Sequence, residues 1–293
     1  MIHKPVFRLC AFADEADTSL DGQICALRDH GIRLIELRGV DGRNVADLTE
    51  ADAHNVRKRL KKQLDSAGIK ARTVGSPIGK TDIAEDPEKE QNRFLHVLSL
   101  ARILGAQCIR LFSFYGTGGD AKYFPAVVSR LEGFLRAAAG SGIVLCHENE
   151  KGIYGEKAAA CEELHRALPD LRAVFDPANF VQAGEDVLSA WRMLSPYVYY
   201  GHIKDAKANG DVVVPGEGDG ALASYLPLFP TDHPCVLTVE PHLASFVGLA
   251  GLEEEGARSA VNTARFRNNR EAFDCAVSTL RQLIADCGCG LAE

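Results

Sequence analysis

The 293-residue chain has no long apolar segment and no excess of positive charge. No apolar run approaches the ~20 residues that a membrane-spanning helix needs. The first residues lead into no apolar core of the kind that a signal peptide contains. With 33 basic and 40 acidic residues, the net charge is −7. We therefore predict no membrane segment, no secretion signal and no nucleic-acid partner, because nucleic-acid binding normally relies on a basic surface.

The cysteine pattern argues against a disulfide framework. The nine cysteines are an odd number, and no two of them form a CxxC pair. This usage is typical of a reducing compartment, so we expect a cytoplasmic protein. Four cysteines lie in apolar, strand-like runs, where a buried thiol acts as a small hydrophobic group: Cys10, Cys108, Cys146 and Cys235. Cys287 and Cys289 stand near the C-terminus without a neighbouring histidine, which predicts a frayed tail.

A repeat of strand and helix patterns runs through the whole chain. Predicted strands begin near residues 6, 32, 69, 107, 142, 171, 197 and 235, and a helical pattern follows each of them. Helix signals support this reading. Thr18 or Ser19 can cap the first helix, and Asp86 before Pro87 starts the third, which Gly105 ends. Longer helical patterns cover residues 176–194 and, at the end, 262–285.

The regular spacing predicts the architecture. One continuous period of strand–helix units favours a closed (β/α)8 barrel, a TIM barrel, over a doubly wound open sheet. No linker or low-complexity stretch divides the chain, and barrels of this kind reach this length as one domain. We therefore predict an α/β protein with a single TIM-barrel domain over residues 1–293.

Four consecutive predicted strands end abruptly in an ionisable residue. The strand residues are apolar, and the ends are Glu148, Asp176, His202 and Glu240. In a (β/α)8 barrel the C-terminal ends of the strands surround the active site. The four side chains are therefore expected to meet at that face.

The residues around these four positions resemble the sugar phosphate isomerase/epimerase superfamily, the xylose-isomerase-like TIM barrels. The matching motifs are Glu148-Asn149, Phe175-Asp176-Pro177-Ala178-Asn179, His202-Ile203-Lys204-Asp205 and Glu240-Pro241-His242, with Pro215-Gly216-Glu217-Gly218 after strand seven. The resemblance covers nearly the whole chain. It implies that Glu148, Asp176, His202 and Glu240 bind one divalent metal ion, and that Glu148 and Glu240 are the catalytic acid and base. Proteins of this superfamily commonly assemble as dimers or tetramers, so a homo-oligomer is expected.

Three carboxylates and one imidazole suit a hard divalent cation. Mn²⁺ or Mg²⁺ fits best, and Co²⁺ or Zn²⁺ is compatible. The alternative is that each acid simply caps the helix after its strand, which is plausible for Asp176 before Pro177. Four independent caps at four consecutive strand ends are a much weaker explanation.

The same four residues serve several reactions on a carbohydrate. A cation that holds a carbonyl and the adjacent hydroxyl acidifies the proton between them, and an enediolate results. Return of the proton to the opposite face gives epimerisation, transfer to the neighbouring carbon gives isomerisation, and loss of a β-hydroxyl gives dehydration. We predict a metal-dependent isomerase or epimerase of a small ketose or related hydroxy-carbonyl compound. An inosose-type dehydratase is the alternative.

Two less favoured functions follow from the same fold. One is an abasic-site endonuclease, a branch of the superfamily that uses a multi-zinc cluster with a histidine after strand three, where this chain has Val74, Gly75 and Ser76. The other is a non-catalytic sugar-binding barrel, which loss of the metal ligands would mark, and all of them are present.

Further polar residues near the strand ends are predicted substrate contacts: Lys204, Asp205, Glu36, Arg110, Lys80 and His242. Each also has a structural alternative. Lys204 can simply pair with Asp205, and Glu36 can pair with Arg38. Arg110 can form an ion pair inside the barrel with Glu36. Lys80 can be a solvated loop lysine, and His242 can support the metal ligands.

Two neighbouring positions are interpreted as structural or divergent. Strand alternation points His147 away from the side that Glu148 faces. Asn179 stands where some epimerases of the superfamily carry a histidine that touches the substrate, which puts that contact in doubt. The glycine-rich segment from Pro215 to Gly220 predicts a turn and not a nucleotide-binding loop.

Overall fold

The computed structural model describes residues 4–48, 50–246, 260–261 and 265–292. Eight parallel strands close into a barrel, because β1 pairs with β8 as well as with β2. The strands are β1 Val6–Ala11, β2 Leu34–Leu37, β3 Lys70–Gly75, β4 Cys108–Leu111, β5 Val144–Glu148, β6 Arg172–Phe175, β7 Val198–Ile203 and β8 Cys235–Val239. The predicted TIM barrel is confirmed.

Helices connect the strands on the outside of the barrel. They are α1 Leu20–Asp29, α2 Glu50–Ser66, α3 Pro87–Leu104, α4 Phe124–Ala138, α5 Ala158–Ala167, α6 Pro177–Gln182, α7 Val187–Leu194, α8 Leu222–Tyr225 and α9 Asn269–Asp286. Ser19 caps α1 by accepting a hydrogen bond from the Gly22 N–H, and Asp86 caps α3. Gly105 ends α3 with φ of 70°, a conformation that glycine adopts without strain.

Two predicted helices differ from the structure. Residues 176–194 form two helices because the chain turns at Gly184, whose φ is 73°, and Asp186 then caps α7. The closing helix α9 begins at Asn269, where the Asn268 side chain accepts from the Glu271 N–H. Its predicted start at residue 262 lies outside the described residues.

The predicted frayed tail is wrong. A short strand, Gly290–Leu291, pairs in parallel with the first residues of β1, Val6 and Phe7. β2 reaches β1 only at Cys10 and Ala11, so the start of β1 has free backbone groups on that side. The C-terminal residues supply the missing hydrogen bonds.

Alternate residues of each strand face the barrel interior. We call one cluster of these side chains the lower layer: Cys10, Cys108, Cys146, Val174, Tyr200 and Val236. We call the four predicted metal ligands the upper layer, and Glu36 lies between the two, bonded to Tyr200 and His202. The larger hydrophobic core lies between the strands and the surrounding helices. None of the described helices combines the length and apolar character required to cross a bilayer.

Candidate metal and active site

The four predicted ligands meet at the C-terminal end of the barrel, one from each of β5 to β8. Glu148 is the last residue of β5, His202 lies next to the end of β7, and Asp176 and Glu240 directly follow β6 and β8. One ligand atom from each residue lies within 4.8 Å of the other three. All four side chains are buried. The fold therefore brings together residues that are far apart in the sequence.

Two carboxylate oxygens of this cluster lie near basic side chains without a well-aligned hydrogen bond. Asp176 Oδ2 and Glu240 Oε2 are buried and form no hydrogen bond within the described structure, although Lys204 Nζ lies 3.0 Å from the first and His202 Nδ1 lies 3.1 Å from the second. Three carboxylates buried this close together repel one another, and positive charge between them relieves that repulsion. Three carboxylates and one imidazole nitrogen fit a divalent cation. The cluster could therefore hold a metal ion.

His202 is oriented by carboxylates on both ring nitrogens. Its Nδ1 lies 2.8 Å from Glu148 Oε1 and 3.1 Å from Glu240 Oε2, on the side of the cluster. Its Nε2 lies 3.2 Å from Glu36 Oε2 on the opposite side. A carboxylate behind a metal-binding histidine fixes the ring tautomer and orientation. Glu36 occupies that position here.

Burial and mutual repulsion shift the pKa values of the cluster. Burial, reinforced by Glu148 and Glu240, raises the pKa of Asp176 to about 6 against the opposing effect of Lys204. Burial alone would lower the pKa of His202, but the surrounding carboxylates raise it well above its usual value. An environment that strongly favours a protonated imidazole is one that favours added positive charge in general.

Lys204 joins the cluster and Asp205 does not. The Lys204 Nζ lies 3.0 Å from Asp176 Oδ2 and 4.0 Å from Glu240 Oε2, so it pairs with two of the predicted metal ligands and not with Asp205. The Asp205 carboxylate instead accepts backbone N–H groups from Ala206, Gly216, Gly218 and Gly220. A Cβ at Gly218 would lie 2.3 Å from Asp205 Oδ1, which explains a glycine there. Both oxygens of Asp205 bind this loop, which gives the residue a structural role, and its predicted substrate contact stays a prediction.

Glu36 and Arg110 lie beneath the cluster. Glu36 accepts hydrogen bonds from the hydroxyls of Tyr200 and Thr238, at 2.9 and 3.0 Å. It makes no pair with Arg38, and its oxygens are buried under His202. Arg110 Nε lies 3.3 Å from Glu148 Oε2 and 3.9 Å from Glu36 Oε1. Both residues thus contact the predicted metal ligands, and their predicted substrate contacts stay predictions.

Lys80 and His242 flank the cluster. Lys80 Nζ lies 2.9 Å from Glu150 Oε2 and 4.5 Å from the centre of the Phe112 ring, so it is not a solvated loop lysine. His242 Nε2 lies 3.4 Å from Glu240 Oε1. The backbone at His242 has a φ of 47°, an unusual value for a residue with a side chain.

The sequence analysis did not predict four further charged residues as part of the site. Arg38 contacts Glu240, Asp14 and Glu15 surround Arg38, and Glu150 pairs with Lys80. Each residue follows β1, β2 or β5 within a few positions, so the strand-end rule that found the four ligands could also have found them.

The asparagines near Asp176 have structural partners. Asn149 donates to the Asp176 carbonyl and accepts from the Asp176 N–H, and the Asn179 amide donates to the Asn149 carbonyl. His147 faces away from the cluster, with its Nε2 at 3.0 Å from Ser113 Oγ. These bonds hold the ends of β5 and β6 together beneath the ligands.

Comparison with known proteins places this geometry in a family. A family profile described as xylose isomerase-like TIM barrel matches residues 24–261. The chain belongs to this family. None of the curated proteins compared with the chain matches it.

Solved structures share the fold at low sequence identity. D-psicose 3-epimerase from Clostridium cellulolyticum H10, determined with D-tagatose, is 12% identical with a TM-score of 0.71, covering 95% of this chain and 99% of its own. The IOLI protein, determined with a bound zinc atom, is 17% identical with a TM-score of 0.70, covering 96% and 99%. The probable 3-DHS dehydratase AsbF from Bacillus anthracis is 15% identical with a TM-score of 0.69, covering 94% and 98%. At these identities the likeness concerns the fold alone.

Proposed function

We propose that this protein is a divalent-metal-dependent isomerase or epimerase of a small ketose or related hydroxy-carbonyl compound. One observation carries the proposal. One ligand atom from each of Glu148, Asp176, His202 and Glu240 lies within 4.8 Å of the other three, and all four side chains are buried. The donor set favours Mn²⁺ or Mg²⁺, with Co²⁺ or Zn²⁺ as alternatives.

The two glutamates are the proposed acid and base. Glu148 and Glu240 come from β5 and β8, and their carboxylates lie 2.8 and 3.1 Å from the same nitrogen of His202. A divalent cation held there would supply the positive charge that acidifies the C–H beside a carbonyl. One glutamate removes that proton and leaves an enediolate, and the other returns a proton to the opposite face or to the neighbouring carbon. Lys204, buried beside the cluster, is a donor for a substrate oxygen.

A dehydratase is the second candidate, and one observation favours it. Asn179 uses its amide to bond the Asn149 carbonyl, at 2.8 Å. An asparagine has no imidazole, and with its amide bonded in this way it does not replace the histidine with which some epimerases of the family contact their substrate. The same proton abstraction followed by loss of a β-hydroxyl would give a lyase of an inosose-like ketone.

Deuterium exchange tests the proposal directly. The protein is loaded with Mn²⁺ in heavy water and incubated with ketohexoses, ketopentoses, hydroxypyruvate and inososes. Proton NMR then follows deuterium uptake and products. We expect exchange beside a carbonyl that is lost with a chelator and in Glu240→Gln, while the matched change Glu132→Gln, at an exposed helix position, leaves it intact. Metal binding without exchange in any of these compounds would refute the proposed chemistry for them.

The setting of the reaction is part of the proposal. All nine cysteines are free, which supports a reducing cytoplasmic environment. We also propose a homo-oligomer, and light scattering on the purified chain measures its mass.

A further inference from the structure

Arg38 lies at the C-terminal end of β2 with only 3% of its surface exposed. Its Nη1 lies 3.1 Å from Glu240 Oε1. The other oxygen of the same carboxylate, Oε2, lies 3.1 Å from His202 Nδ1, within the ligand cluster. The two oxygens of Glu240 therefore face different surroundings, one toward the cluster and one toward Arg38.

Arg38 is itself held on several sides. Asp14 binds it in a bidentate manner, with Nε to Oδ2 at 2.9 Å and Nη2 to Oδ1 at 3.1 Å. Nη2 also donates to Glu15 Oε1 at 2.9 Å. The guanidinium carbon lies 4.2 Å from the centre of the Phe12 ring and 4.6 Å from that of Phe246. A planar fork fixed by a bidentate carboxylate and aromatic faces has little freedom to reorient.

The packing around Asp14 and Glu15 fixes this arrangement further. A Cβ at Gly39 would lie 2.8 Å from Asp14 Oδ2, so the glycine leaves space for that carboxylate. Glu15 Oε2 accepts the backbone N–H of His242 at 2.7 Å. This contact ties the segment after β1 to the segment after β8, on which Glu240 lies.

Glu148 has a different support. The arginine beside it, Arg110, approaches Glu148 Oε2 at 3.3 Å, but its Nε forms no hydrogen bond in the described structure. Arg38 is thus hydrogen-bonded to Glu240 and held by several other groups, whereas the Arg110 Nε only lies near Glu148. Neutralising the charge of a carboxylate requires only a nearby cation, but fixing its direction requires a hydrogen bond from a donor that is itself held in place.

We propose that Arg38 is a positioning residue for Glu240, and that Asp14 acts on Glu240 only through Arg38. Arg38 holds Oε1 and thereby directs Oε2 to the metal cluster and the reacting carbon. The part of this inference that concerns catalysis rests on the proposed function. The part that concerns metal binding does not.

The test compares Arg38→Lys, Asp14→Asn and the double variant with the wild type. Mn²⁺ affinity is measured by calorimetry, and kcat, KM and melting temperature are measured on the same preparations. Loss of a group that orients a metal ligand typically weakens metal binding by about 10–100-fold. For Arg38→Lys we expect about a tenfold loss of Mn²⁺ affinity and a lower kcat, with KM little changed. For Asp14→Asn we expect smaller losses of Mn²⁺ affinity and of kcat. The double variant should match Arg38→Lys, because Asp14 has no other route to Glu240.

Arg72→Lys is the matched control. Arg72 is also a buried arginine over aromatic rings, at 4.8 Å from the Tyr200 ring, but it contacts thiol and hydroxyl groups instead of a ligand. This variant should lose stability while keeping its Mn²⁺ affinity and its kcat. The inference is overturned if Arg38→Lys behaves like Arg72→Lys, or if the effects of Arg38→Lys and Asp14→Asn on Mn²⁺ affinity simply add. A wild type that binds Mn²⁺ but turns over no substrate would refute the proposed function. The Mn²⁺ affinities of the variants would still test whether Arg38 positions Glu240.

Discussion

The two layers of the barrel interior differ in whether their buried side chains are neutral or charged. In the lower layer, burial raises the pKa of the Cys10 thiol to about 12 and that of the Cys146 thiol well above its usual value, so both stay neutral. In the upper layer, the three buried carboxylates lie close together, and the nearby positive charge includes Lys204, whose Nζ is 3.0 Å from Asp176 Oδ2. Burying the neutral side chains of the lower layer requires little free energy, whereas burying the carboxylates of the upper layer destabilises the fold unless their charge is compensated.

Arg72, which lies beside the lower layer, shows how a buried charge is accommodated without a ligand. It donates toward Cys108 Sγ at 3.3 Å and lies over the rings of Tyr199 and Tyr200. Burial would raise the pKa of Cys108, but the Cys146 thiol, the Arg72 guanidinium and the Thr73 hydroxyl lower it. Here one cation lies among thiol, hydroxyl and aromatic groups, whereas the upper layer has three carboxylates close together. The upper layer could therefore hold an added cation.

Replacing either of the two glutamates that we propose as acid and base should have the largest effect. If Glu148 and Glu240 transfer the proton, Glu148→Gln and Glu240→Gln should each lower kcat by about 10²–10⁴-fold. Deuterium exchange into the substrate measures this loss. Cys10→Ala, in the lower layer, serves as the control and should retain its kcat. Equal losses in both layers would contradict the distinction between them.

Glu36 connects the two layers, and its replacement should weaken metal binding. Glu36→Gln keeps the shape of the side chain but removes the charge behind His202 Nε2. We expect Mn²⁺ affinity to fall by about 10–100-fold, measured by calorimetry, with a smaller loss in Tyr200→Phe. Unchanged affinity in Glu36→Gln would show that His202 is oriented without it.

The Asp176 carboxylate of the upper layer should lower the stability of the metal-free protein. Because the pKa of Asp176 is raised in the folded state, the folded protein binds this proton more tightly than the unfolded chain does. The stability that protonated Asp176 contributes to the folded state is therefore lost as pH rises through the range from about 4 to 6. Metal-free Asp176→Asn should be more stable than the wild type at pH 8 by about 1–2 kcal/mol, and the difference should shrink by pH 4.

Denaturant unfolding at several pH values, with chelator present, measures this difference. The asparagine can still cap α6, where Asp176 Oδ1 accepts the Asn179 N–H. Excess Mn²⁺ should reverse the order of the two proteins at pH 8, because only the wild type keeps the full ligand set. If the difference in the free energy of unfolding between the two proteins is constant with pH, ionisation of Asp176 does not destabilise the metal-free protein.

The smallest effect is expected in the lower layer. Cys146→Ala removes one buried, neutral thiol and should cost about 1 kcal/mol in the free energy of unfolding. Mn²⁺ affinity and its pH dependence should not change. A change in Mn²⁺ affinity would show that the two layers are coupled.

Much of this protein follows from the sequence alone. The strand–helix period predicted the closed barrel, and the ionisable strand ends predicted which four side chains would meet. Local chemistry also predicted a cap at Thr18 or Ser19, of which the structure uses Ser19, and the cap at Asp86, since the groups involved lie within a few residues of one another. These features depend on spacing and alternation, which are properties of the chain itself.

The tertiary structure decided how the remaining charges are paired. Arg38 and Glu240 are 202 residues apart, and they meet only because the barrel closes. For the same reason, Glu36 supports His202, Asp205 holds a glycine-rich loop, and the C-terminal residues pair with β1. A carboxylate at a strand end can accept from many donors of similar strength. Which donor it meets depends on the register and closure of the strands, and no local pattern encodes that choice.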